Sequence, residues 1–229
     1  MNYRIATILA AESLAGAGVK VIDLLLKDVV SELVVKWVGV SKGTLLTDHP
    51  TGMIDKIELI DGTDVLLSLT SEEMTALAYY DTLKSPVCHI NTKTNYALEL
   101  ILRHRFGRKL YDPELALDPK RFRNPQLRIT YDSDGCQDAV TSGYLEVYAH
   151  CFDEKAVSPS GFLMSKEHYT YTPTAASSHK YIDLPTDFPI RKMLIKAHYA
   201  AQFFHSTLGH VKLSEDNDKR YPLTSIAET

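Results

Sequence analysis

The sequence predicts an all-β chain built on a jelly-roll barrel, and three observations carry that expectation. Apolar and polar residues alternate with period two from residue 19 onward, turn-forming stretches interrupt the alternation at short intervals, and only one segment has helical spacing. Alternation buries one face of a strand and leaves the other wet, and many short strands with long crossings close as a sandwich or jelly roll.

Taken in order, Met1 to Gly18 reads as an alanine-rich N-terminal arm or short helix that ends at the flexible Gly16-Ala17-Gly18. Glu12 interrupts the apolar run Ile5–Ala11, so this is neither a signal core nor a span. Strands are expected at Val19–Leu26, Glu32–Val38, Ile54–Ile60, Asp64–Leu69, Tyr96–Arg103, Leu127–Tyr131 and Tyr144–Phe152. In Glu32–Val38 the residues Leu33, Val35 and Trp37 share one face, with Glu32, Val34 and Lys36 on the other. Turn residues at Ser41–Gly52, Asp61-Gly62 and Asp132–Gly135 separate the strands.

The helix is expected at Ser71–Leu83. Thr70-Ser71-Glu72-Glu73 fits a capping box, Met74, Leu77 and Ala78 follow at helical spacing, and Ser85-Pro86 stops the run. Gly107–Pro125 carries three X-Pro steps and reads as a long irregular excursion. Leu33, Val35, Trp37, Leu59, Leu98, Leu100, Leu127, Ile129, Leu145 and Val147 are the expected core, because each lies on the apolar face of an alternating strand.

Composition is that of an ordinary globular chain: 229 residues, 45% hydrophobic and 24% charged, enough for one or two cored domains. A net charge of -4 argues against a general attraction for phosphate backbones or anionic lipid. The cysteines Cys88, Cys136 and Cys151 are widely spaced without a CxxC pair, which points to free thiols and folding in a reducing cytosol.

An internal repeat refines the architecture. Shifted by 160 positions, Lys20–Lys36 (KVIDLLLKDVVSELVVK) falls without gaps on Lys180–Lys196 (KYIDLPTDFPIRKMLIK), with five of 17 positions identical. At an offset of 154, Ile57–Asp64 falls on Val211–Asp218, where Leu59/Leu213 and Asp64/Asp218 are identical. The expected organisation is therefore an arm at 1–18, a first jelly roll at 19–153, a linker at 154–179 and the start of a second jelly roll at 180–229. About 89 residues follow Asp64 in the first copy, and 11 follow Asp218 in the second, so the second barrel is expected to be incomplete.

These segments resemble a known family. KVIDL, IELIDGTDVLLSL, FGRKLYDPELALDP followed by NPQLRITYD, and IDLPTDFPIRKMLI with VKLSEDNDKR are similar to strands and turns of double jelly-roll major capsid proteins of tailless icosahedral bacteriophages, several of which enclose a membrane. The resemblance covers roughly Val19 to Thr229. It implies two barrels standing upright in a capsid, pseudo-hexagonal homotrimers that tile a shell, and a subunit made in the host cytoplasm that ends in the virion. An internal membrane and minor capsid proteins are the further partners it implies, with no enzymatic activity, cofactor, small-molecule substrate or specific nucleic acid. The reading it competes with is a carbohydrate- or receptor-binding β-sandwich, and behind that a cupin-like barrel enzyme.

Chemical signatures are weak, and no catalytic, cofactor-binding or metal residue is assigned. Asp132, Asp134, Gly135 and Asp138 fit a calcium loop poorly and a strand-to-strand turn well, as do Asp216-Asn217-Asp218. Nine histidines form no HxH or HExxH pair, and the adjacent Cys88 and His89 lack a second ligand pair. No GxSxG elbow or phosphate loop occurs. The one basic cluster is Arg103–Lys109 with Arg121 and Arg123, expected to be a solvated loop or a source of salt bridges between subunits, with an inner-surface contact to genome or lipid headgroups as the alternative.

Overall fold

A computed structural model of the chain describes residues 2–44, 49–91, 93–135, 140–153, 157–173, 179–198, 204–216 and 218–226. The chain divides into two units, 1–178 and 179–229.

The first unit is a jelly roll. Its strands are β1 (Asn2–Leu14), β2 (Ala17–Asp23), β3 (Val30–Ser41), β4 (Ile54–Asp61), β5 (Asp64–Thr70), β6 (Cys88–His89), β7 (Ala97–Arg105), β8 (Pro125–Asp132), β9 (Val140–Asp153) and β10 (Ser165–Lys166). One sheet has the order β1-β9-β3-β7-β6 and the other β10-β5-β4-β8-β2. Apart from the β4–β5 hairpin, successive long strands thus pass from sheet to sheet, and the alternating apolar faces meet between them. All ten expected core residues are at most 3% exposed, with Trp37 at 1%. Gly39 and Gly143, paired across β3 and β9, leave the space that the Trp37 ring fills.

Helix α1 (Ser71–Thr82) follows β5 directly. The Thr70 hydroxyl accepts from the Glu73 N–H while the Glu73 carboxylate accepts from the Thr70 N–H, and Leu83 closes the helix in the left-handed region at φ 54°. The excursion after β7 is irregular but ordered: Val30 and Leu117 exchange backbone hydrogen bonds, and a 3-10 turn occupies Pro119–Arg121.

Four expectations need correction. Residues 1–18 are no arm or helix: β1 runs antiparallel to β9 from Asn2↔Asp153 to Leu14↔Gly143, with Ala6 and Leu14 turned into the core, and β2 starts at Ala17. Pairing with a neighbouring strand overrides the helix propensity of alanine. The solvent face assigned to Glu32 and Val34 is closed as well, at 0% and 7% exposure, because long side chains of β7 and β9 fold over the central strand. Part of the expected linker, 157–167, is a strap on the first unit: Ala116 N–H donates to Gly161 O, Leu163 N–H to Phe106 O and Glu167 N–H to Ser68 O, and β10 lies parallel to β5.

The fourth concerns the repeat. Lys20–Lys36 spans β2 and β3, whereas 179–198 holds no strand, so the 160-residue shift is not matched by equivalent strands. A strand needs a ladder partner for its N–H and C=O groups, and among the described residues that segment has none. The shorter block fares differently. Val211–Asp218 lies in a hairpin of β11 (His210–Glu215) and β12 (Arg220–Ile226), as Ile57–Asp64 lies in the β4–β5 hairpin. The second unit also contains a short helix, α2 (Phe204–Thr207). Tyr181, Phe188 and Ile190 of this unit are exposed.

Candidate assembly surface

The outer face of the β1-β9-β3-β7 sheet is where the first unit concentrates its charged and aromatic side chains. Side chains standing out from neighbouring strands form rows, since directly opposed residues share a face. One row places Glu32 of β3 between Arg105 of β7 and His150 of β9. The Glu32 carboxylate, fully buried, accepts from Arg105 Nε at 2.9 Å and from Arg103 Nη1 at 3.3 Å, with His150 Nε2 at 3.7 Å. Two rows along, Lys36 lies opposite Glu146 of β9, at 3.6 Å, and reaches diagonally to Glu99 of β7, at 3.4 Å. Neighbouring opposite charges hold this face neutral and its side chains fixed.

An aromatic group closes one end of the same face. Tyr3 of β1 stacks on Tyr111 with ring centroids 3.7 Å apart, Phe152 meets both rings edge-on, and Tyr111 Oη lies 3.2 Å from His150 Nδ1. Tyr111 is held by its N–H, which donates to Ser31 Oγ at 2.6 Å. Exposed Ile5 and Tyr144 extend the face.

The basic cluster found in the sequence is used inside the chain. Arg103 and Arg105 serve Glu32, Arg108 binds Asp112 and Glu114, and Arg121 holds the carbonyls of Pro159 and Ser160 on the strap. Arg108 hydrogen bonds hold the Asp112 carboxyl well below the usual carboxylate range, helped by the backbone N–H groups of Glu114 and Arg108. Lys109, Lys120 and Arg123 are exposed as well.

Residues weighed for metal or catalytic chemistry take backbone roles. Asp132 Oδ1 accepts from the Asp134 N–H at 2.9 Å, an Asx turn after β8, while Asp138 lies outside the described residues. Asp216 and Asp218 flank the β11–β12 turn at positive φ. Cys88 and His89 form β6, opposite Leu100 and Glu99. Cys88 and Cys151 are free thiols, both pushed up by burial, Cys151 to about 11, and Cys136 lies outside the described residues. Among the described residues no cluster of three or more His, Cys, Asp or Glu could hold a metal ion.

A cavity of about 210 Å³ opens between α1 and β7, walled in part by Asp81, Lys84, Arg103 and His104. His104 is 1% exposed, and neither ring nitrogen makes a hydrogen bond. Burial drives its pKa down to about 4, against a smaller pull upward from Asp81 and the Leu163 backbone. It is a core histidine, edge-on to Phe106 at 5.0 Å.

No family model matches the chain, and no curated protein does. Among solved structures it is similar to the STIV MCP, the major capsid protein of Sulfolobus Turreted Icosahedral Virus. The TM-score is 0.54 at 12% identity, over 68% of this chain and 50% of that one. The PBCV-1 virus capsid gives a TM-score of 0.46 at 15% identity, over 66% and 42% of the two chains. The major capsid protein P2 from bacteriophage PM2 gives 0.44 at 10% identity, over 69% and 53%. The first of these likenesses establishes the fold: a jelly roll of the kind found in a viral major capsid protein. This chain spans about half the length of the solved chains it matches.

Proposed function

We propose that this protein is a capsid subunit whose work is self-assembly, not catalysis. The observation that carries the reading is the eight-strand jelly roll, β1-β9-β3-β7 against β5-β4-β8-β2, shared in fold with the STIV MCP. A barrel that buries its apolar faces and keeps a neutral, side-chain-locked flank offers a rigid face for copies of itself. The subunit forms homotrimers that tile an icosahedral shell, and after synthesis in the host cytoplasm it resides in the virion, with an internal membrane and minor capsid proteins as further partners. Residues 179–229 belong to the opening of a second jelly roll, with β11–β12 as counterpart of the β4–β5 hairpin.

Sedimentation and negative-stain electron microscopy of the purified chain test this. Trimers or curved sheets are expected. A monomer at every concentration that binds glycans on an array would overturn it in favour of the carbohydrate-binding sandwich.

A further inference from the structure

The two sheets treat their edges unequally. On one flank the edges are covered: β10 and the strap lie along β5, and β6 with Val87 lies along β7, where Ile101 N–H donates to Val87 O. On the other flank, β1 is broken by two register shifts, at Thr7/Leu9 and Leu9/Glu12. Both devices discourage pairing with another chain. Strand β2 has neither. Its seven residues pair with β8 in unbroken register and contain no proline, and it ends its sheet.

The ladder fixes which groups face outward. Ser133 N–H donates to Gly16 O at one end of the β2–β8 pair, and Leu24 N–H to Pro125 O at the other. In an antiparallel ladder the bonded residues alternate, so the even residues of β2 serve β8. Ala17, Val19, Val21 and Asp23 therefore turn their N–H groups to the open edge. The same four side chains stand on the outer face of the sheet, and Val19 and Val21 are 57% and 47% exposed.

We infer that β2 pairs antiparallel with β2 of a second copy about a two-fold axis at Lys20, joining two five-stranded sheets into one. The strand is self-complementary in that register. Val19 falls opposite the second copy's Val21 on the outer face, and the reverse pair completes a four-valine patch. Ala17 falls opposite Asp23. The two Lys20 side chains meet on the inner side at the axis, where each has its own Glu12 carboxylate at 2.6 Å, so the centre is neutral. Among the described residues of the first unit, no other strand edge combines open backbone groups with a pattern that matches itself. The inference rests on the self-assembly reading only in taking a second copy as the partner.

Two full-chain variants test it. Val21→Pro removes an N–H that faces the open edge, a place where an edge strand tolerates proline, and so leaves the β8 ladder intact. The double variant Val19→Lys with Val21→Lys sets like charges against each other in the paired state and only in water otherwise. By sedimentation over a rising concentration series, wild type is expected to form species larger than a trimer, linked pairwise through β2, and both variants to raise the Kd of that linkage by roughly 100-fold or more. Circular dichroism and thermal midpoints report that the fold is kept. Amide exchange should slow at Val19 and Val21 on that linkage in wild type alone. Oligomers that persist unchanged in both folded variants would sink edge pairing while leaving self-assembly standing. A chain monomeric throughout, with freely exchanging amides at 17–23, would sink both.

Discussion

Trp37 packs against Gly143, and a Cβ at that glycine would stand 2.7 Å from the indole Nε1. Gly39 allows the same approach from within β3. The largest core side chain is thus accommodated by two backbone positions that carry no side chain. Gly143→Ala is expected to cost about 1–3 kcal/mol through overpacking. Trp37→Ala should cost about 3–5 kcal/mol through the cavity it leaves. Urea midpoints compared at constant m-value measure both.

His104 makes stability fall in acid. Its ring is neutral in the folded barrel, with a pKa near 4 against an ordinary 6.5, so the unfolded chain takes up the proton first. Its contribution is whole above pH 6.5 and is lost as pH drops toward 4, by about 3 kcal/mol over that window. Asp112, held low by Arg108, adds a further loss that begins as pH falls into the ordinary carboxylate range and continues below it. His104→Leu should flatten the fall between pH 7 and pH 4.5 in denaturant titrations. An unchanged slope would show that other groups carry it.

Glu32 has lost all contact with water, so its arginines stabilise mainly by compensating a charge that cannot be rehydrated in place. Arg105→Ala is expected to cost about 2 kcal/mol, less than for a fully buried pair because the guanidinium is itself part-exposed. Glu32→Gln combined with Arg105→Ala should cost less than the sum of the two single changes. A double-mutant cycle reads that coupling directly.

Arg121 clamps the strap through two backbone carbonyls, Pro159 and Ser160. Arg121→Ala should speed limited proteolysis within 157–167 while leaving the thermal midpoint of the barrel nearly unchanged. Equal cleavage rates in both proteins would assign the strap's hold to Phe162, packed against Phe106 and Phe122, instead.

How much of this was legible in the sequence follows from which forces are local. β3, β4, β5, β7, β8 and β9 alternate in their own residues, and α1 carries its cap in Thr70 and Glu73, so each is readable in isolation. β1 is not, because its two register shifts break the period and its small alanines carry little hydrophobic signal. The burial of Glu32 depends on arginines some 70 positions away. The Lys180–Lys196 match is a likeness of composition that strand pairing does not follow. The open edge of β2 is legible only after the covers on the other edges are known, since a free edge is a property of what lies beside a strand.

The pairing of β1 with β9 also sets a clock. Asn2 meets Asp153 and Leu14 meets Gly143, so β1 waits about 130 to 150 residues of synthesis for β9, its one ladder partner among the described residues. Until then β4 can pair with β5 and β3 with β7 while β1 stays undocked. The last step of barrel closure is the slow, long-range one, and it completes the face that carries Tyr3 and Ile5. A nascent chain therefore cannot complete that face before its own barrel is shut.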